Sequence, residues 1–247
     1  MIDTHAHITK EFFKNPQDII RKSKDGGISK IIVPATTIMD SKTNPSEIID
    51  GVYYAVGVHP TETNNTINKD LIKSTIKKET IAIGECGLDY YRPPYDINLQ
   101  KKIFKMQIEI AKDYNLPLIV HTREALKDTY KILSGYYKGG RNNGVIHSAS
   151  GDISILKEII KLGFYVSFNG ISTFKNSALI KDLIYNIDIK NILVETDSPF
   201  LTPEPKRGEY PNTSLNLIYI IDNINNLKRI NNTKEITTKN AQELFRI

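Results

Sequence analysis

The chain has 247 residues, 40% of them hydrophobic and 25% charged, the balance of a globular protein long enough to bury a core without staples. Its one cysteine, Cys86, excludes an internal disulfide framework and fits a reducing compartment. The net charge of +5, from 33 basic and 28 acidic side chains, permits a polyanionic partner without demanding one. Apolar runs such as 52–58 fall far short of the ~20 residues of a spanning helix, and no basic, apolar leader opens the sequence. A cytoplasmic protein with no membrane partner is expected.

Taken in chain order, short β-branched runs predict strands, and 3.6-residue periodicity predicts helices between them. Residues 1–5 read as a strand, 14–25 as a helix and 30–35 as a second strand. The connection that follows is short. Asn44-Pro45, Ile48 and Ile49 leave room for only a turn or two of helix. Strand 53–59, helix 67–79 and strand 80–85 come next. The clearest helix spans 96–114: Pro93 and Pro94 precede it, Asp96 is placed to cap it, and Ile97, Phe104, Ile108 and Ala111 recur at helical spacing. Strand 117–122 leads into helix 123–135, strand 144–149 into helix 152–162, and strand 164–169 into helix 176–187. Strand 192–197 is followed by helices at 213–227 and 237–246, the last with Ala241, Leu244 and Phe245 as its apolar stripe. The Asn-rich stretch 222–233 reads as a solvated helix end and turn. Eight strands alternating with helices predict an α/β fold, a single (β/α)8 TIM barrel, with a doubly wound open sheet as the alternative. No linker divides residues 1–247, so one domain is expected.

The five histidines fall where such a barrel does its chemistry. His5 and His7 close the first strand, His59 the third, His121 the fifth and His147 the sixth. The carboxyl ends of barrel strands form the catalytic face. Glu85 ends the fourth strand and Asp197 the eighth. Two residues apart in an extended segment, His5 and His7 point the same way. Imidazole and carboxylate together suit zinc, manganese, nickel or cobalt. Six candidate ligands exceed the needs of one tetrahedral ion and suit two ions bridged by a carboxylate. Cys86, next to Glu85, points the opposite way and is expected in the core.

Several motifs resemble one known family. They are D-T-H-A-H-I (Asp3–Ile8), G-V-H-P (Gly57–Pro60), G-E-C-G-L-D-Y-Y (Gly84–Tyr91), H-T-R-E (His121–Glu124), E-T-D-S-P-F-L (Glu195–Leu201) and N-A-Q-E-L-F (Asn240–Phe245). In this order and spacing, the chain is similar along nearly its whole length to TatD-type metal-dependent deoxyribonucleases, within the amidohydrolase-like TIM barrels. The resemblance implies two divalent ions, with Mg, Mn or Zn as occupants. It places the first on His5, His7, Glu85 and Asp197, and the second on Glu85, His121 and His147, with Glu85 bridging. The chain departs from the family at Ala149, where an aromatic is usual two residues after His147, and at Glu209, where a basic residue is usual. The segment between the second and third strands is also shorter.

The implied activity is exonuclease-like hydrolysis of DNA phosphodiesters, at single strands or frayed ends, by a hydroxide held between the metals. Glu85 and Asp197 are the catalytic carboxylates, Asp197 also accepting a proton. His59 is read as a substrate contact. Arg123 is placed to clamp a phosphate, as is Arg207 in the long loop 198–212. Tyr90 and Arg92, flanking Tyr91, suit base stacking beside a phosphate. Asp89 is read as fixing its turn, and Glu195 as an auxiliary ligand or a buried paired carboxylate. The rival readings are an amidohydrolase-type hydrolase of a lactone or amide and an aminoacyl-tRNA ester hydrolase. Many amidohydrolases bridge their metals with a carbamylated lysine on the fourth strand; Glu85 stands there in this chain. A non-catalytic binding protein would not be expected to keep all six ligands. A monomer is the default expectation.

Overall fold

A computed structural model describes residues 1–44, 49–91 and 93–247. Pro45 and Ile48 of the short connection, and Arg92, lie outside the described residues. Eight parallel strands pair in sequence order: β1 (Ile2–Asp3), β2 (Lys30–Pro34), β3 (Val52–Val56), β4 (Thr80–Asp89), β5 (Leu118–Arg123), β6 (Gly144–Ile146), β7 (Phe164–Phe168) and β8 (Ile192–Val194). The ring closes just past β1 and β8. Thr4 N and Oγ1 both donate to Val194 O, Asp197 N donates to His5 O, and Ala6 bridges Ser198. The chain is a (β/α)8 TIM barrel, as the alternation of elements predicts.

The helices are α1 (Pro16–Asp25), α2 (Ile38–Thr43), α3 (Lys69–Lys73), α4 (Ile97–Asp113), α5 (Leu126–Tyr136), α6 (Ile153–Lys161), α7 (Ala178–Asn186), α8 (Leu217–Lys228) and α9 (Thr233–Phe245). Local chemistry sets their ends. Asp96 Oδ1 accepts from Leu99 N at the start of α4, and Asp152 accepts from Ser154 N at the start of α6, as side-chain N-caps do. Helix α3 is much shorter than the 67–79 that periodicity suggests. The hydroxyls of Ser74 and Thr75 donate to Leu71 O and Ile72 O, taking up carbonyls that a longer helix would use. A 3₁₀ turn, Ser214–Asn216, occupies the expected start of α8.

One buried residue from each strand, from Ile2 on β1 to Leu193 on β8, fills the barrel interior. Helix α9 closes this layer with Ala241, Leu244 and Phe245. Asn240 Nδ2 ties it down by donating to Ile189 O and Ile192 O, at the amino end of β8. The larger apolar layer lies between sheet and helices and includes Cys86, fully buried as expected. With one end plugged by α9, the opposite end is left for polar groups. Strands β1, β6 and β8 stop earlier than the sequence suggests, so His5, His7, His147 and Asp197 stand just past them. No helix among the described residues is long and apolar enough to cross a membrane.

Candidate metal centre

Glu85 is the hub, and β4 is built to present it. The strand shifts register against β5 between Ile83 and Cys86, and Glu85 N donates to Ala35 O at 2.8 Å. Gly87 has φ +134°, and a Cβ there would lie 2.0 Å from His121 O. Only glycine lets β4 lie this close to β5, which is the physical sense of the second glycine in G-E-C-G. Glu85 is 3% exposed. Its Oε1 lies 3.0 Å from His121 Nδ1 and 3.6 Å from both His147 Nε2 and His59 Nε2. Its Oε2 lies 3.4 Å from His5 Nε2 and 3.9 Å from His7 Nε2. Asp197, in the left-handed region at φ 53°, points Oδ1 at the same pair, 3.8 Å from His5 Nε2 and 3.6 Å from His7 Nε2. The two Nε2 atoms are 3.2 Å apart.

All six residues expected as ligands therefore meet in one place. The groups compact enough to hold an ion are His5–His7–Asp197, His5–Glu85–His147 and His59–Glu85–His121. His147 thus faces His5 across Glu85, with their rings stacked at 3.7 Å. His59, expected as a substrate contact, sits beside His121.

The outward nitrogens have partners that fix each ring. His121 Nε2 lies 3.0 Å from Asp89 Oδ2, and His147 Nδ1 lies 2.8 Å from Glu195 Oε1. A carboxylate only accepts, so these nitrogens carry the protons and the lone pairs of His121 Nδ1 and His147 Nε2 face Glu85. Glu195 is held in turn by Ser148 N at 2.8 Å, Ser167 Oγ at 2.5 Å and Asn169 Nδ2 at 3.4 Å. Asp89 also accepts from Tyr91 N, so it fixes its turn and orients His121 together. Asp3, Asn169 and Thr61 were not singled out from sequence. Buried Asp3 accepts from Thr196 N, Thr196 Oγ1 and His5 N, locking the H-x-H segment to the end of β8. Its place two residues before His5 was the available signal.

Burial and charge divide the rings. Burial, reinforced by neighbouring His5, lowers His7 to about 3, and burial lowers His59 to about 4. Burial also works against protonation of His147, but Glu195 and Glu85 overcome it and raise the ring to about 10. Asp89 and Glu85 raise His121 in the same way against burial. Burial would raise the Glu85 carboxyl, yet the surrounding His59, His5 and His147 hold it well below the usual range. Burial pushes Asp197 up to about 6, against the pull of His147 and His5.

Two cavities open on this cluster. One, of about 330 Å³, runs from His7 and His59 past Glu11, Asp40 and Glu62. The other, of about 480 Å³, shares His121, His147 and Asp197 and is walled by Ala149, Phe168, Ile180 and Arg123. Phe12 and Phe200 meet edge to face at the mouth. The Arg123 guanidinium lies 3.7 Å over the ring of Tyr91, which is 52% exposed. Tyr90 instead stacks on Tyr95 and donates its hydroxyl to Asp128, so its polar tip serves packing against α5. Arg207 lies over Phe174, 4.0 Å from its ring centre, and faces Glu204; neither cavity is lined by it.

A mononuclear or binuclear metallohydrolase built on a barrel is the class that this end of the molecule describes. The family model for "TatD related DNase" matches residues 2–246, and the chain belongs to that family; it is a metal-dependent hydrolase. An uncharacterized metal-dependent hydrolase of Bacillus subtilis, YabD, is 35% identical over all of this chain and 99% of its own length. A putative deoxyribonuclease TATDN1 homolog of Vairimorpha ceranae is 38% identical over 81% of this chain and 73% of its own length. Among solved structures, the TatD homolog YjjV of Escherichia coli superposes with a TM-score of 0.90 at 23% identity, over 100% of this chain and 98% of that one. The phosphotriesterase homology protein of Escherichia coli shares the fold, with a TM-score of 0.70 at 14% identity over 99% and 98% of the two chains.

Proposed function

We propose that this chain is a divalent-metal-dependent deoxyribonuclease that hydrolyses phosphodiester bonds at single-stranded or frayed DNA ends. Residues 1–247 act as one domain and as a monomer. The carrying observation is Glu85: both its oxygens face imidazole nitrogens, delivered by the ends of five strands. Such a crowd of lone pairs suits cations between them. The charge agrees. Glu85, Asp89, Glu195 and Asp197 together supply the negative charge that two divalent ions balance. His5, His7, Glu85 and Asp197 would hold one ion, and Glu85, His121 and His147 the other, with Mg, Mn or Zn as occupants. Bound there, the ions supply Lewis acidity at the phosphate and lower the pKa of water.

The chain's own groups do the rest. Asp197, raised to about 6, accepts the proton of the attacking water near neutral pH. Asp89 and Glu195 keep His121 and His147 in the tautomers that face Glu85. Arg123, braced on Tyr91 at the cavity edge, receives a phosphate through its planar fork. Tyr91 offers a base-stacking face beside it. Arg207 is placed to follow the strand farther out. The putative-deoxyribonuclease relative and a carboxylate, Glu85, at the bridging position both support a nuclease over a lactone or amide hydrolase.

The test is a substrate series with metal-loaded protein: single-stranded and duplex DNA with either end blocked, an aminoacyl ester, and a lactone and an amide. His5→Ala and Asp197→Ala run in parallel. Metal-dependent cleavage of DNA ends, lost in both variants, is expected. No cleavage of DNA, or cleavage undiminished in both variants, would overturn the proposal. Turnover confined to the small esters or amides would install the rival.

A further inference from the structure

His59 is grouped with Glu85 and His121 closely enough to share an ion, yet its hydrogen bonds say otherwise. The G-V-H-P motif makes His59 the cap of its own turn. Residues Pro60–Glu62 form a 3₁₀ turn. Pro60 has no N–H, so the first backbone donor of the turn belongs to Thr61. That N–H points at His59 Nδ1 at 3.2 Å, and Thr61 Oγ1 lies 2.7 Å from the same nitrogen. A backbone N–H has no alternative tautomer; it only donates. His59 Nδ1 must therefore accept, and the proton of the neutral ring sits on Nε2. The ring cannot turn away: His59 N donates to Thr36 O at 2.8 Å, His59 is 8% exposed, and its face meets the edge of His121 at 4.4 Å.

The contrast with the other rings is chemical. His121 and His147 set their outward nitrogens against carboxylates, which leaves inward lone pairs. His59 sets its outward nitrogen against a donor, which leaves an inward N–H. A lone pair is what a cation needs, and His59 Nε2 has none to give. From this juxtaposition we infer that His59 is a hydrogen-bond donor to the substrate and not a ligand of either ion. Its Nε2–H is aimed into the cavity beside Glu85, at an oxygen of the phosphate undergoing hydrolysis. A preorganised neutral donor in a water-poor site stabilises charge as it develops on that oxygen. The substrate's identity as a phosphodiester rests on the function proposed above; the tautomer of His59 does not.

The experiment reads the tautomer, the metal content and the kinetics of one set of proteins. With 15N-labelled histidine and the protein loaded with Mg²⁺ or Zn²⁺, imidazole proton–nitrogen correlation spectra are expected to show His59 protonated at Nε2. His59→Phe is expected to keep the wild-type number of bound ions per chain and to lower kcat on a single-stranded oligonucleotide by about 10²–10³-fold. His59→Gln, which restores an N–H donor and covers the case of a poorly folded phenylalanine variant, is expected to recover at least about tenfold of that loss. A ring protonated at Nδ1, the loss of one ion in either variant, or an unchanged kcat in His59→Phe would each overturn the inference. If the wild-type protein cleaves no DNA, the function proposed above fails, while the spectrum and the ion count still decide whether His59 is a ligand.

Discussion

Glu195 never has to touch a cation to govern one, and two substitutions separate its tasks. Its carboxylate takes His147 Nδ1 at 2.8 Å and Ser148 N at 2.8 Å on Oε1, and Ser167 Oγ at 2.5 Å on Oε2. In Glu195→Gln the amide oxygen can keep the first two donors while the amide nitrogen donates to Ser167 Oγ. The fold is then expected to change by less than about 1 kcal/mol. What disappears is the negative charge behind His147. Loss of such an outer carboxylate costs about 10–100-fold in metal affinity or activity, or roughly 1.4–2.7 kcal/mol. Glu195→Ala additionally strands buried donors from three elements, with a cost on the order of 3–5 kcal/mol. That lowers the melting temperature by roughly 6–20 °C for a chain of this size. The assays are competition titration of Mn²⁺ against a chelator and thermal unfolding of the metal-free protein. Wild-type metal affinity and activity in Glu195→Gln would refute the reasoning, as would equal melting temperatures for the two variants.

Three further outcomes are expected. Asp89→Asn weakens the hold on His121 Nε2 and lowers metal affinity by about tenfold or more, measured by the same titration, with the Tyr91 turn retained. Gly87→Ala drives a methyl group into the backbone of β5 beside His121 and destabilises the fold by at least about 3 kcal/mol, read from denaturant unfolding. Asn240→Ala frees two carbonyls at the plugged end of the barrel and costs about 1–3 kcal/mol in stability. At room temperature its activity stays at the wild-type level, because α9 lies at the end of the barrel away from the imidazoles.

The barrel was legible because period carries through. Strands such as 30–35 and 80–85 are apolar on both faces, and α4 shows its stripe and its Asp96 cap in the sequence itself. Strand lengths were not legible. Strands β1, β6 and β8 pair for only two or three residues, because the chain beyond them turns to deliver His5, His147 and Asp197, and closure between Thr4 and Val194 is a tertiary event. Convergence of the six expected ligands followed from strand-end placement alone. The tautomers did not: they depend on Asp89, Glu195 and Thr61 approaching particular ring nitrogens, and only for Thr61 is that partner local in sequence. Tyr90 shows the opposite limit. Its neighbours suggested a stacking platform, but Asp128, 38 residues on, takes its hydroxyl, while Tyr91 carries the exposed face beneath Arg123.

The central claim is a pair of ions shared through Glu85. It is tested most directly by counting Mn²⁺ bound per chain at saturation, after equilibrium dialysis of chelator-stripped protein. Two ions for the wild type and the loss of both in Glu85→Ala are predicted. No more than one ion in the wild type, or two still bound by the variant, would contradict the account.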